Sequence, residues 1–225
     1  MHKLVWGVVL SFCFLINSAW AGSLETVVIR KETANFDLQL KYPQGFADKT
    51  IDIAVKKLID NLQKADTNTD SSDSLADEGK SSLYVDYKIK FQNRNATSLL
   101  FMISTYTSGA AHPNNTVQSL NFIQGKEMTL AQLFKPDSGY LTKIAALGRA
   151  AVLKKKISDN DWVISGTKPT QENYQNWYFT ADGLAIVFDT YQVAAYVYGP
   201  QTVKISRSEL GNWLRPEVAK VVWGN

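Results

Sequence analysis

Apolar and polar residues alternate along this chain in two different periods, and each change of period marks a new element. From Leu24 to Leu40, Val27 and Ile29, then Phe36, Leu38 and Leu40, recur at every second position, which predicts a strand or hairpin ended by Tyr42-Pro43. From Asp48 to Ala65 the period lengthens. Ile51, Ala54, Val55, Leu58, Ile59 and Leu62 fall at i, i+3, i+4, i+7, i+8 and i+11, an amphipathic helix whose apolar stripe needs a sheet to cover. Leu83 to Gln92 alternates strictly, with Leu83, Val85, Tyr87, Ile89 and Phe91 on one face and Tyr84, Asp86, Lys88 and Lys90 on the other. That is a half-buried antiparallel strand. Asn93 to Asn95 supplies a turn, and Ser98 to Thr107 returns with apolar residues on both faces (Leu99, Phe101, Ile103 against Leu100, Met102), so it belongs at the centre of a sheet. Thr116 to Ile123 is a further strand, closed by a turn at Gly125-Lys126.

The second half changes character. Thr129 and Gln132 have the spacing of a capping box and open a short helix from Leu130 to Phe134, which Pro136 ends. Ser138 starts a longer helix with Leu141, Ile144, Ala145 and Val152 facing inward and Lys154-Lys155-Lys156 at its C-terminal end, where cations suit the macrodipole. Trp162 to Ile164 reads as a short strand. Trp177 to Thr180 and Leu184 to Phe188 read as a hairpin about Asp182-Gly183, followed by a strand from Val193 to Tyr198 that ends at Gly199-Pro200, and another from Thr202 to Ile205. Ser206 and Glu209 form a second capping box, opening a helix that carries Leu210, Trp213 and Leu214. The order of elements predicts an α+β fold: an antiparallel sheet with helices packed on one face, in two intimately packed halves.

Composition narrows the class. The 225 residues and 45% hydrophobic content suit one domain with a sizeable core. The formal charge of +3 falls to +2 without residues 1–21, whose only charged side chain is Lys3, and basic residues are scattered, so nucleic acid is not an expected partner. Met1 to Ala21 has Lys3, an apolar run from Leu4 to Ile16 and Ala19-Trp20-Ala21, which reads as a secretory signal peptide cleaved near Ala21. Phe12 stands before Cys13 where a lipobox needs a small residue. The mature chain, 22–225, is thus expected to be periplasmic or secreted, with no transmembrane anchor and no thiol, since Cys13 is the only cysteine. Asp66 to Ser82 is polar and acidic, a solvated surface loop. Asp66, Asn68 and Asp70 share the first spacings of a calcium loop, but Ser71 replaces the required glycine and Asp77 takes the place of the closing glutamate.

Candidate chemistry is sparse. His112 is the only histidine left after the signal, and neither a metal cluster nor a cofactor motif accompanies it. No G-x-S-x-G elbow offers a nucleophile. Asp182 and Asp189 flank one strand, where the first is explained by turn chemistry and the second by a polar strand end. Tyr191, Tyr196 and Tyr198 form either an aromatic platform for a sugar or peptide, or a set of core rings with solvated hydroxyls. No residue is assigned a catalytic role.

The pattern Tyr191, Ala194, Tyr196, Gly199, Val203, Ile205, Glu209, Leu210 resembles the C-terminal signature of the RsiV/PdaC-type extracytoplasmic domain family. So does Leu120, Asn121, Phe122, Gly125, Lys126, Thr129, Leu130, Leu133, Phe134, and the segment before it, Gly109 to Asn115, is similar to that family's G-x-A-H-P/G-N loop. Gln124 and Ala110 depart from the family pattern. The resemblance covers most of the mature chain and implies a single domain over 22–225, with an N-terminal part at 22–82 and the signature part at 83–225. It also implies an exported, non-enzymatic binding module of the cell envelope with a lysozyme-like protein or peptidoglycan as partner. His112, Asn114, Tyr191, Tyr196 and Tyr198 are the candidate ligand-binding residues, and the other reading of His112 is that it bonds backbone in a tight loop and fixes its shape. The resemblance is to the module alone, so neither sigma-factor signalling nor deacetylation is carried with it. The other reading is a small periplasmic hydrolase acting on peptidoglycan through His112 and a nearby acid.

Overall fold

The computed structural model describes residues 23–67 and 79–224, so residues 1–22, where a signal peptide is expected, and most of the Asp66 to Ser82 stretch, expected as a solvated loop with calcium-like spacing, lie outside the described residues. Six strands form one sheet in the order β1-β2-β3-β4-β5-β6: β1 Glu25–Glu32, β2 Phe36–Gln44, β3 Ser81–Gln92, β4 Ala96–Tyr106, β5 Asn114–Ile123 and β6 Lys126–Glu127. Three more form a second, antiparallel sheet: β7 Trp177–Thr180, β8 Gly183–Phe188 and β9 Gln201–Ser206. Among the described residues the helices are α1 Lys49–Thr67, α2 Tyr140–Lys155, α3 Asn160–Gly166, α4 Arg207–Leu210 and α5 Pro216–Trp223, with short 3-10 turns between them. The architecture is α+β.

The two sheets stack face to face, and the helices take the two outer faces. Each strand's alternation says why. Leu99, Phe101 and Ile103 of β4 pack with Ile51, Val55, Leu58 and Ile59 of α1, while Leu100 points the other way and meets Val117, Tyr178, Ala185 and Val187. On the second sheet Trp177, Phe179, Leu184, Ile186 and Phe188 turn outward to Ile144 and Val152 of α2, Val163 of α3 and Val218 and Val222 of α5. The two-faced apolar pattern of β4 therefore has a cause: α1 covers one side and the small sheet the other. The six-stranded sheet also runs across residue 82, because β3 begins at Ser81 and pairs with β2.

That β2–β3 pair is parallel, so the large sheet is mixed rather than wholly antiparallel. The strand-helix-strand order requires it, since α1 carries the chain back to the starting edge. β2 also runs through Tyr42-Pro43 to Gln44, because β1 holds it there (Val27 opposite Tyr42, Thr26 opposite Pro43) and β3 pairs only with Phe36 to Leu40. The proline thus lies where no second ladder needs its missing N–H.

The remaining departures lie in the second half. Trp162 to Ile164 is helical: Asp159 accepts from the Trp162 N–H at 2.8 Å and caps α3. α2 starts at Tyr140, after Gly139 in the left-handed region, and not at Ser138. Ala181-Asp182 forms the two-residue hairpin loop, one residue earlier than the Asp182-Gly183 reading, and Gly183 is already in β8 opposite Thr180. A Cβ on Gly183 would stand 2.2 Å from the Ile205 carbonyl oxygen. Val193 to Tyr198 is not a strand. Val193 and Ala194 are buried in a turn and Tyr196–Tyr198 is a 3-10 turn, because side-chain clamps rather than a ladder hold this connection. The Ser206–Glu209 capping box forms, but α4 ends at Leu210, so Trp213 falls in a 3-10 turn and Leu214 in the connection to α5.

Candidate functional site

His112 lies in the connection between β4 and β5, and Tyr191 and Tyr196 in the connection between β8 and β9, and the stacking of the two sheets brings these loops together. The His112 ring stacks on Tyr196 with centroids 4.1 Å apart at 26°, and the Tyr191 ring lies 5.6 Å from that of Tyr196. His112 Nε2 is 3.2 Å from the Tyr191 hydroxyl and Nδ1 is 2.9 Å from the Pro113 carbonyl oxygen. With both ring nitrogens so occupied, His112 faces a phenol and a backbone carbonyl rather than a carboxylate. His112 and Tyr191 are exposed and Tyr196 is half-buried.

Local structure fixes these rings. Asn115 Nδ2 donates to the Tyr196 hydroxyl at 2.6 Å. Tyr191 has φ 66, a left-handed conformation that costs about 1–3 kcal/mol in a non-glycine residue and persists only where the surroundings dictate it. Here they do. Trp162 Nε1 donates to the Tyr191 carbonyl at 2.8 Å, and Gln192 Nε2 donates to the Gly166 and Asn173 carbonyls, each at 2.9 Å. Gly166 is required for this contact, because a Cβ on it would lie 1.8 Å from the Gln192 carbonyl oxygen.

Three of the five candidate residues therefore come together, and two do not. Asn114 is exposed at the start of β5, where its carbonyl faces the Thr105 hydroxyl at 3.4 Å. Its neighbour Asn115 makes the side-chain contact instead. Strand alternation puts Asn115 on the same face as Val117, toward the small sheet, and Asn114 on the other. Tyr198 is half exposed and joins no ring contact among the described residues; its carbonyl accepts from Gln201 Nε2 at 2.7 Å.

Asp182 and Asp189 stand at opposite ends of β8. Asp182 pairs with Arg207 at 3.7 Å. Asp189 Oδ1 accepts from the Val117 N–H at 3.1 Å and the Thr190 N–H at 2.8 Å, tying the β8 end to β5 beneath the ring cluster. Burial pushes its carboxyl above the usual range, against the two N–H groups that pull it down. A polar seam continues this tie. Asn176 donates to the Val117 carbonyl and accepts from the Ser119 N–H, both at 3.0 Å, and Asn121 donates to the Trp177 carbonyl at 2.8 Å.

Residues 29–115 match the family model described as Deacetylase PdaC. Residues 131–208 match the one described as Protein of unknown function (DUF3298). The ring cluster joins the two matched segments, with His112 from the first and Tyr191 and Tyr196 from the second. One curated relative, Peptidoglycan-N-acetylmuramic acid deacetylase PdaC of Bacillus subtilis (strain 168), is 26% identical over 201 residues, which is 87% of this chain but 43% of the relative. The chain thus spans less than half the length of that protein. Two solved structures share the fold. A DUF3298 family protein from Pseudomonas aeruginosa PAO1 has a TM-score of 0.67 at 16% identity, over 88% of this chain and 96% of that one. A member of the same family from Bacteroides fragilis NCTC 9343 has a TM-score of 0.60 at 17% identity, over 89% and 98%. No helix among the described residues is long and apolar enough to cross a membrane.

Proposed function

We propose that this chain is an exported, non-enzymatic binding module of the bacterial cell envelope, and that its ligand is cell-wall glycan or a lysozyme-like protein that attacks that glycan. The observation that carries the reading is the exposed ring cluster: His112 stacked on Tyr196 at 4.1 Å with Tyr191 beside them. Tyrosine and histidine present flat apolar faces with polar tips, suited to sugar rings and to protein interfaces alike. The rings are also fixed before any ligand arrives, by Asn115 and by the clamps on Tyr191 and Gln192, so little ordering remains to be done on binding. The resemblance to the RsiV-type domain supports the protein partner, and the likeness to a protein named as a peptidoglycan deacetylase supports the cell wall as the setting.

The name of that relative also favours a second reading, a hydrolase acting on peptidoglycan through His112. A general base needs a nucleophile or a water to activate and a group to orient it. The groups on His112 are the Tyr191 hydroxyl and the Pro113 carbonyl. Incubating residues 22–225 with purified peptidoglycan separates the readings. The module reading predicts co-sedimentation with the wall, or inhibition of a c-type lysozyme, without release of acetate or of new reducing ends. Release of either product that is lost in His112→Ala would establish the hydrolase instead.

A further inference from the structure

A cleft of about 380 Å³ opens at the other end of β5, between β6, the start of α2 and the 3-10 turn at Glu172–Tyr174. Seven residues of extended chain separate Asn114 from Asn121, on the order of 20 Å, so this cleft is distinct from the ring cluster. Its size lies within the range of small-molecule sites. The floor is set by Trp177, buried, and Asn121, whose amide is held by Ser98 Oγ at 2.7 Å and the Trp177 carbonyl at 2.8 Å. One wall is Tyr140, its ring stacked on Phe134 with centroids 4.4 Å apart at 4°, so the face it offers is rigid.

The rim has a different character. Glu127 and Glu172 are exposed, line the same cleft, and form neither an ion pair nor a side-chain hydrogen bond among the described residues. Gln171 and Gln175 stand beside Glu172, exposed, and their amides make no side-chain hydrogen bond among the described residues. The lining includes no lysine, arginine or histidine. Two uncompensated carboxylates in a partly enclosed site favour a cationic ligand, since their charge is less screened there than on open surface. The side-chain amides are donors and acceptors for hydroxyl groups, and a fixed tyrosine face suits the apolar face of a sugar ring. We propose that this cleft binds an amino sugar with a free ammonium group, the ammonium held by Glu127 and Glu172 and the hydroxyls by Gln171 and Gln175. The proposal does not rest on the ring cluster.

The test is calorimetric titration of the full chain, near pH 6, where hexosamine amines are protonated and carboxylates ionised. The ligands are a glucosamine tetramer, its fully N-acetylated counterpart, a neutral glucose tetramer and tetralysine. The glucosamine tetramer should saturate a single site at least tenfold more tightly than the other three. Glu127→Gln and Glu172→Gln should each weaken it fivefold or more with unchanged thermal unfolding. Equal binding of the N-acetylated tetramer overturns the role of the ammonium, and equal binding of tetralysine overturns the role of the sugar. Absence of binding, or indifference to both glutamine variants, overturns the site.

Discussion

Replacing Asn176 by alanine probes the joint that carries both candidate sites, because this one buried amide bonds β5 at two successive points. Its Nδ2 reaches the Val117 carbonyl and its Oδ1 the Ser119 N–H, each at 3.0 Å, and the residue is 5% exposed. Alanine leaves one donor and one acceptor without partners in the seam between the sheets. Each orphaned buried group costs ~1–3 kcal/mol, so the loss of two should be about 2–6 kcal/mol. That is a large share of the ~5–15 kcal/mol that holds a domain together. For a chain of this size, where 1 kcal/mol shifts Tm by about 2–4 °C, it corresponds to a fall in Tm of roughly 4–24 °C. Urea and thermal unfolding, followed by fluorescence of the adjacent Trp177, measure it directly. A loss below about 1 kcal/mol with the m-value unchanged would mean that the amide is not the element that fastens β5 to the small sheet.

Three further outcomes follow from the same geometry. Asp189→Asn should be at least as stable as the natural protein at pH 7. Burial raises the Asp189 carboxyl above its unfolded value, so ionisation opposes folding above the folded pKa, and this penalty fades as pH falls toward the ordinary carboxylate range near ~4. The asparagine Oδ1 can still accept from Val117 and Thr190, so urea unfolding across that pH range should show the variant's advantage shrinking on acidification, and a loss above ~1 kcal/mol at pH 7 would contradict it. Gly166→Ala places a Cβ 1.8 Å from the Gln192 carbonyl oxygen and should cost about 1–3 kcal/mol or more, with the His112 ring resonances displaced because the turn bearing Tyr191 must move. Tyr191→Phe removes the 3.2 Å contact to His112 Nε2 at an exposed position, so thermal unfolding should show a change within ~0.5 kcal/mol while the Nε2 resonance shifts.

Much of the fold was legible because its determinants are local. The α1 stripe, the alternation of β3 and both capping boxes depend on residues within a few positions of one another, and each forms where its spacing puts it. The failures share a cause. Trp162 to Ile164 has the composition of a strand, yet one hydrogen bond to Asp159 and packing against α2 make it helical. Val193 to Tyr198 alternates like a strand, but Gln192 bonds to Gly166 and Asn173, and no periodicity records contacts over 26 and 19 residues. The candidate site divides in the same way. Family motifs singled out His112, Tyr191 and Tyr196, but only the stacking of two sheets shows that rings 79 residues apart touch. Asn115 was legible in principle from the β5 alternation. The cleft of Glu127 and Glu172 was not, because its sides come from segments 45 residues apart that share no motif.

Calorimetric titration of residues 22–225 and of His112→Ala with peptidoglycan fragments, and with a c-type lysozyme, decides whether the His112, Tyr191 and Tyr196 surface is the binding face proposed above. Saturable binding of one of these ligands is expected, near or below micromolar (about −8 kcal/mol), weakened tenfold or more in the variant at unchanged Tm. Absence of heat with both ligands, or equal affinity of the natural protein and the variant, would rule that surface out.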